Sequence, residues 1–401
     1  MANRSFIQLS LIYLANIILG MTISVKGATV SEMMFFFKAS ESYIGSMLMA
    51  VTLGGMVASI IGGYLCDYLN AKYILLFGMA ISFLSFAFFG QSKNALLGII
   101  LMGFMGIGAG FIQVSTSTLV IRLNPQKSVV SLNLCQFFYG IGAVFGPLIA
   151  SFISYRKMDW KYNYIVVAIM AFCCMLIIIR TRFASMTSSD LNSEKMNFRE
   201  ILSFKNDKTI YLLAVIGMIY MTLELGVSEW SSEYFMRYNN FTASSAQLLL
   251  SIFWGGLTLG RLVCTVITKF VKPEILIIIL STGAAPAMVF AYFINSYVVV
   301  AVAVFFIGLF FSGIFPTIIF LGGTHYSKHT GTVTGLISSF SGFGASILRK
   351  GSTYITQIIN LKVSICIMIV LSLLLIIFSG IMNIKAKIIL RKANSVTTSV
   401  K

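Results

Sequence analysis

Charged residues are scarce in this sequence, with only 12 acids against 29 lysines and arginines. Charged side chains make up 10% of the 401 residues and hydrophobic ones 58%, whereas a soluble domain carries about 25% charged residues. Water therefore cannot be the solvent for most of the protein surface. The formal net charge of +17 would favour nucleic acid as the partner of a soluble protein, but in so apolar a chain we expect no nucleic acid partner.

Patterns typical of metal, nucleotide and catalytic sites are also missing. The six cysteines fall inside or at the ends of apolar runs, and none has metal-ligand spacing with a histidine. His325 and His329 are four residues apart but have no third ligand nearby. No phosphate-binding loop is present, so no signal indicates ATP as an energy source. We expect no cofactor, no metal and no enzyme activity.

Long apolar runs recur along the whole chain. Each is roughly 20 residues long, the length at which an α-helix crosses about 30 Å of hydrocarbon. The runs are continuously apolar, which excludes a β-barrel because barrel strands alternate in polarity. The sequence therefore predicts an all-α integral membrane protein with twelve transmembrane spans. Their approximate bounds are 6–29, 42–65, 73–91, 95–121, 130–155, 162–181, 209–236, 244–269, 274–293, 297–322, 331–358 and 363–384.

The placement of basic residues indicates the orientation in the membrane. With the N-terminus in the cytoplasm, 18 lysines and arginines fall in cytoplasmic segments and seven in outer ones. Cytoplasmic loops of membrane proteins carry such an excess, so we expect both termini in the cytoplasm and the chain in the plasma membrane. The outer loop from Arg156 to Lys161 is the one segment that argues against this orientation.

The chain repeats itself at about half its length. Shifting the second half back by 200 to 203 positions aligns glycine pairs at 54–55 and 255–256, and glycine motifs at 140–142 and 342–344. The polar stretch between the sixth and seventh spans separates the copies. We predict an N-terminal six-helix half, a cytoplasmic linker, a C-terminal six-helix half and a cytoplasmic tail. Their bounds are 1–181, 182–208, 209–385 and 386–401.

The loop between the second and third spans reads GGYLCDYLNAKYIL. It resembles the signature of the major facilitator superfamily, a glycine followed four residues later by an acid and then by basic residues. Gly63, Asp67 and Lys72 match that signature, and the residues between Asp67 and Lys72 depart from it. The resemblance implies the major facilitator fold of two pseudo-symmetric halves and a gating role for Asp67 and Lys72.

The seventh span, YMTLELGVSEWSSEYF, is similar to the fucose permease and sugar:proton symporter branch of that superfamily. Glu224, Trp230 and Tyr234 stand at that branch's acid, tryptophan and aromatic positions. The fifth span has the branch's Asn, GIGA and GP elements, beginning at Asn133. This resemblance implies a sugar carrier coupled to protons.

Several charged residues lie inside the apolar spans, where a charge costs about 2.5 to 3.5 kcal/mol on insertion scales. We expect Glu224, with Glu229 next, to bind and release the coupled proton. The alternative for Glu224 is a permanent ion pair with Lys26 or Arg261. The basic residues inside the spans are Lys26, Arg261, Arg349 and Lys350. Arg261 and Lys350 are interpreted as gating or structural charges.

The spacing of the two acids predicts an interruption in the seventh span. Glu224 is turned about 140° from Glu229 in an unbroken helix, so both face one cavity only if the helix breaks, and Gly226 lies between them. Lys26 aligns with the same depth, where it either forms a salt bridge with one acid or binds an anionic group on the substrate. The excess of basic residues over these acids favours an acidic or phosphorylated solute.

Polar uncharged residues complete the predicted substrate site. Gln113 shares a helix face with Ser117, and Asn133 shares one with Gln136, and amides that both donate and accept suit hydroxyl-rich ligands. Trp230 either stacks on a sugar ring or anchors at the membrane interface. Lys26 and Arg349 are the basic members of this predicted site.

These patterns together favour secondary active transport by alternating access, in which protons drive the uptake of a sugar or a sugar-derived anion. The expected partners are a small-molecule solute, the proton and membrane lipid, and we expect a monomer. One alternative is proton-driven efflux of a drug-like or amphipathic compound. Another, from a different class, is a membrane sensor or lipid-handling protein that transports nothing.

Overall fold

The computed structural model of the chain describes residues 2–92, 94–123, 128–181, 208–268, 270–325, 339–348 and 358–398, with the single positions 337, 351 and 354. These residues form α-helices and short connections, and no strand occurs among them. The helices are α1 (Ala2–Ala28), α2 (Val30–Phe37), α3 (Glu41–Tyr68), α4 (Ala71–Phe89), α5 (Ala95–Leu123), α6 (Ser128–Tyr155), α7 (Tyr162–Arg180), α8 (Lys208–Asn239), α9 (Ala243–Ile267), α10 (Pro273–Phe293), α11 (Tyr297–Phe311), α12 (Ile314–His325), α13 (Ser339–Leu348) and α14 (Leu361–Thr398).

Eleven helical stretches in the described part of the chain are long and apolar enough to cross a membrane. They match the first ten predicted spans and the twelfth, with α11 and α12 forming one stretch, Tyr297–Gly322. The all-α membrane fold is therefore confirmed. Of the predicted eleventh span, the ten residues of α13 are described as a shorter apolar helix, which is compatible with twelve spans. The helix α2, which directly follows α1, was not predicted.

Side-chain hydroxyls inside the helices bond to the backbone of their own helix. Thr22, Ser115 and Thr116 each donate to the carbonyl four residues earlier, at 2.9, 2.6 and 2.8 Å. Hydrocarbon offers no water to such groups, and an unsatisfied polar group in it costs several kcal/mol. These bonds explain how apolar spans contain serine and threonine at buried positions.

Contacts divide the chain into two compact units. The first consists of Met1–Lys195, Gly226–Gly255 and Arg349–Val363, and the second of Met196–Leu225, Gly256–Leu348 and Ser364–Lys401. The helices α8 and α9 therefore each contribute to both units. The boundary in α8 lies at Gly226, and the boundary in α9 lies between Gly255 and Gly256.

The helix α8 is unbroken from Lys208 to Asn239, so the predicted interruption at Gly226 is wrong. The prediction assumed that Glu224 and Glu229 share one cavity. Glu224 instead belongs to the second unit and Glu229 to the first. An unbroken helix serves this arrangement, because it turns the two carboxylates about 140° apart, toward different neighbours.

Glycine permits the same close helix approach in both units. A Cβ added to Gly54 of α3 would collide with the Gly103 carbonyl of α5, and one added to Gly256 of α9 would collide with the Phe305 carbonyl of α11. Position 256 follows position 54 by 202 residues, and position 305 follows position 103 by the same 202. Small residues of this kind let membrane helices approach closely. The recurring contact agrees with the internal repeat found in the sequence.

We expect Gly256→Ala to destabilise the protein and its neighbour Gly255→Ala to leave it unharmed. The methyl group at 256 overpacks the contact with Phe305, and overpacking costs about 1–3 kcal/mol. No described atom lies within 4 Å of a Cβ at Gly255, and alanine is the better helix former by about 1 kcal/mol. Thermal unfolding in detergent measures both variants. Equal unfolding temperatures for the two would contradict the close contact.

Candidate functional site

The carboxylate of Glu224 lies in the second unit with two polar neighbours. Glu224 is 9% exposed, accepts a hydrogen bond from the Tyr220 hydroxyl and interacts electrostatically with Arg261 of α9. A carboxylate inside a membrane helix needs such partners, because hydrocarbon solvates no charge. Arg261 is one of the two partners that the sequence offered for an ion pair with Glu224.

Tyr220 was missed in the sequence analysis. It is 1% exposed, stacks on Phe315 with ring centroids 6.0 Å apart and meets Phe311 edge-on at 5.9 Å. These rings hold the phenol one helical turn below Glu224. The spacing of four residues, which places two side chains on one helix face, was the signal that would have found it.

Lys26 and Glu229 lie in the first unit at one level. A Cβ added to Gly27 of α1 would collide with the Ser228 carbonyl of α8 and lie 3.0 Å from the Glu229 Cα. The backbones of α1 and α8 therefore touch at this point, and Lys26 and Glu229 each lie beside the contact in their own helix. Lys26 is 3% exposed and Glu229 5%. Trp230, the next residue, is also buried, within protein rather than at a lipid-facing surface.

A polar cluster lies at the end of the first unit where α1 meets α2, called here the α2 end. The Arg237 guanidinium of α8 donates to Glu233 at 2.7 Å and to Glu41 of α3 at 3.0 Å. The Ser31 hydroxyl of α2 donates to the same Glu233 carboxylate. This cluster ties three helices together. The sequence did not reveal these partners.

At the α2 end, Gln247 of α9 bonds to both α1 and α2. Its amide nitrogen donates to the Ala28 carbonyl at 2.9 Å and to Glu32 Oε1 at 3.0 Å. The Ala28 carbonyl belongs to the last turn of α1, where carbonyl groups have no partner within the helix. Ser151 of α6 also meets Ser244 of α9, with 2.9 Å between the hydroxyl oxygens. Both contacts join α9 to the first helices of the chain.

Glu32 is a titratable group of this region that lies outside the membrane-spanning segments. Burial raises the pKa of the Glu32 carboxyl, the Gln247 hydrogen bond opposes that rise, and nearby Glu233 adds to it. Its Oε2 atom is buried and has no hydrogen-bond partner among the described residues. Desolvation disfavours the charged form of a carboxyl, and at Glu32 it outweighs the hydrogen bonds that favour the carboxylate.

Lys72 has a structural contact that the sequence did not reveal. Its ammonium donates to the carbonyls of Ile179 and Thr181 at 3.0 and 2.8 Å, at the C-terminal end of α7. Cations at this end of a helix complement the helix dipole. Asn70, just before it, caps α4 by accepting from the Lys72 amide. The side chain of Asp67, the other predicted gating residue, lies outside the described residues.

The remaining predicted site residues are partly described. Gln113 is half-buried on α5, and its carbonyl accepts from Ser117; Gln136 on α6 is exposed. The side chain of Asn133 lies outside the described residues, as do Arg349 and Lys350. Among the residues that the structure does describe, no three His, Cys, Asp or Glu side chains are grouped as metal ligands.

Sequence comparison gives a family and distant relatives. The sequence model of the Major Facilitator Superfamily matches residues 12–349. Protein TsgA homolog of Buchnera aphidicola subsp. Schizaphis graminum (strain Sg) is 23% identical over 352 residues, which cover 85% of this chain and 89% of the relative. Protein TsgA homolog of Yersinia pestis (strain Pestoides F) is 21% identical over 291 residues, which cover 72% and 73%.

Solved structures share the fold at low sequence identity. A mutant of the nucleoside transporter NupG has a TM-score of 0.80 and 12% identity, with 94% of this chain and 99% of that chain covered. A D-xylose-proton symporter has a TM-score of 0.78 and 14% identity, with 94% and 97% covered. At these identities the likeness shows the fold alone.

We expect Glu32→Gln to stabilise the protein relative to the unmodified chain as the pH rises. Because the pKa of Glu32 is raised on folding, its contribution to stability is full below the unfolded pKa and is lost as the pH rises through the folded one. The glutamine stays neutral and keeps an oxygen for Gln247. Thermal unfolding at about pH 5 and about pH 8 measures the gap in unfolding temperature between the two proteins.

That gap should be small at the lower pH and wider at the higher one. Glu41→Gln is the matched control, since it removes a carboxylate of the same end that accepts from Arg237 and should destabilise at the higher pH. A gap between Glu32→Gln and the unmodified chain that is equal at both pH values would show that Glu32 does not titrate between them.

Proposed function

The chain belongs to the Major Facilitator Superfamily, and we propose that it couples proton movement to the uptake of a sugar or a sugar-derived anion by alternating access. Membership makes it a multi-pass membrane transporter and not an enzyme. The coupling ion, the solute and the direction of transport are the proposed part.

The observation that carries the proposal is the setting of Glu224. This carboxyl is buried in a membrane-spanning helix between a phenol and a guanidinium. Loss of a proton creates a charge that Arg261 attracts, and gain of a proton leaves a neutral acid that tolerates burial. Both states therefore have a physical basis at this position, which a coupling carboxylate requires.

The first unit supplies a second pair of opposite charges. Lys26 and Glu229 are buried at one level of α1 and α8, and in the proposal their mutual attraction offsets part of the burial cost of each. In the proposal Glu229 is a second proton acceptor, and Lys26 either pairs with it or binds an anionic group of the solute. Gln113, Gln136 and Trp230 are proposed solute contacts, together with Asn133 and Arg349.

The fold neighbours support a sugar-bearing solute. One is described as a D-xylose-proton symporter and another as a nucleoside transporter, and both solutes contain a sugar. The excess of basic over acidic residues within the spans favours an anionic member of this class. Uptake driven by an inward proton gradient then follows from the symport that we propose.

Alternating access requires the α2 end to open and close. In the orientation that we propose, both termini and the linker 182–208 are cytoplasmic in the plasma membrane, and the α2 end faces outward. The contacts of α8 and α9 with the first helices, made by Arg237, Gln247 and Ser244, then close the outer side. We propose a monomer of two six-helix halves, 1–181 and 209–385, with a tail at 386–401 and lipid around it.

Glu224→Gln should abolish coupling while preserving the fold. In proteoliposomes screened with neutral sugars, sugar acids and sugar phosphates, one solute should alkalinise the outside for the unmodified protein. The glutamine accepts from Tyr220 but releases no proton, so the initial rate should fall about 100-fold or more. Glu274→Gln in the first turn of α10 is the matched control and should transport normally.

Two results would overturn this proposal. Full coupled flux in Glu224→Gln would make Glu224 a structural ion-pair partner of Arg261. Absence of flux with every solute, together with proton-driven extrusion of a lipophilic cation, would establish the efflux alternative.

A disulfide across the α2 end should stop transport. Ser151→Cys combined with Ser244→Cys replaces two hydroxyls 2.9 Å apart with thiols that mild oxidation joins. Because α6 and α9 must separate there for solute to enter, the oxidised double variant should lose nearly all uptake, and a reductant should restore it. Each single variant, oxidised in parallel, controls for the exposed native Cys173 and Cys366. Normal uptake by the cross-linked protein would contradict opening at this end.

A further inference from the structure

A cavity of about 1070 Å³ opens at the α2 end, and neither Glu224 nor Glu229 lines it. It is lined by α2, by the connection between α6 and α7, and by the turn between α8 and α9, all of which belong to the first unit. Small-molecule sites measure about 300–1000 Å³. The cavity is therefore large enough for an organic ligand, and no step of the proposed transport cycle uses it.

Three lysines line this cavity, namely Lys38, Lys157 and Lys161. Lys161 forms a salt bridge with Asp159 at 3.7 Å. No carboxylate in the described part of the chain lies within salt-bridge distance of Lys38 or Lys157. Two ammonium groups at this cavity are thus available to an anion.

The backbone at both of these lysines is in the left-handed region. Lys38 has φ 49° and Lys157 has φ 53°, and the described chain has one other such residue, Asn240. Lys38 terminates α2, and Lys157 follows α6. Glycine or asparagine is usual at such helix ends, because a longer side chain strains this conformation. Lysine occupies both places despite that strain, and an unusual backbone of this kind is a reason to look for a function.

The position of Lys161 in its helix does not favour a positive charge. Lys161 is the N-cap of α7, the end where the helix dipole disfavours a cation. Its ammonium lies 4.5 Å from the centre of the Phe36 ring, and Phe36 meets Trp160 edge-on at 5.4 Å. These rings form an apolar wall beside the lysines, which suits the ring or chain of a ligand.

Two carboxylates also line the cavity, but neither pairs with Lys38 or Lys157. Asp159 is paired with Lys161, and Glu32 is bonded to Gln247. Two of the three lysines, Lys157 and Lys161, belong to the outer loop that departs from the charge rule in the proposed orientation. An anionic ligand gives the departure a physical reason.

We propose that this cavity binds an organic anion, whose carboxylate or phosphate is held by Lys38 and Lys157 and whose ring or chain lies against Phe36 and Trp160. The anion has two sources with the same chemistry, a free sugar-type anion and the headgroup of an anionic phospholipid. The site does not depend on proton coupling at Glu224.

Tryptophan fluorescence of the full-length protein in detergent tests the site. The probes are glucuronate with glucose as its neutral twin, and short-chain phosphatidylglycerol with phosphatidylcholine as its zwitterionic twin. At least one anion should change the fluorescence and bind about tenfold or more tightly than its twin, and which anion does so identifies the source. Trp160→Phe should remove the part of the signal that comes from this cavity, since Trp230 and Trp254 lie outside it, and any change that remains reports the proposed solute contact Trp230.

The decisive variant combines Lys38→Asn with Lys157→Asn. Asparagine accepts the left-handed backbone, so the fold should be kept, as thermal unfolding will show, while the affinity for the anion falls about tenfold or more. Arg156→Asn removes the same charge from the same loop without touching the cavity lining and should bind normally. Glu224→Gln should also bind normally, so failure of the transport proposal leaves this result intact.

Equal affinity for anions and their twins would overturn the proposal, and so would unchanged anion binding in the double asparagine variant. The proposal is also overturned if neither anion changes the fluorescence of Trp160. If the double variant is poorly folded, the two single variants carry the test, and unchanged affinity in both would overturn the assignment.

Discussion

A carboxylate inside a lipid bilayer has no water to bond with, and the arrangement around α8 depends on this constraint. Glu224 satisfies it with a phenol from its own helix and a guanidinium from α9. Glu229 lies where α1 brings Lys26 to its level. Each acid therefore has polar surroundings in its own unit, and the helix between them stays continuous. The same continuity makes α8 common to both units.

Close approach of helix backbones makes these charge contacts available. Without a hydrophobic force between helices in lipid, packing and hydrogen bonds hold them together. Gly27 lets α1 touch α8 beside Glu229, and Gly256 lets α9 touch α11 just before the turn that contains Arg261. The glycines thus set the distance between the helix backbones that carry the charged side chains. The contact of Gly54 with α5 in the first half recurs as the contact of Gly256 with α11 in the second, which indicates one packing solution used twice.

The α2 end combines two different kinds of polar chemistry. On one side, Glu41, Arg237, Glu233 and Ser31 satisfy one another in a closed cluster. On the other, lysines surround a cavity with aromatic walls. Glu32 lies between them, bonded to Gln247 and lining the cavity. The closed cluster suits a contact that joins helices, whereas the open cavity suits a ligand.

Apolar composition and run length were enough to predict long membrane helices, because the hydrocarbon thickness fixes the length of any spanning helix. The GGYLCDYLNAKYIL motif then indicated the major facilitator fold. The buried acids of α8 and the proximity of Arg261 to Glu224 were also predictable, since charge in lipid must find a partner. The tertiary structure alone decided which neighbour each charge has. It assigned Glu224 and Glu229 to separate units, removed the need for a helix break, and brought Gln247 to Glu32 across more than 200 residues of sequence. Such pairings depend on helix rotation and depth, which a span's apolar length leaves open.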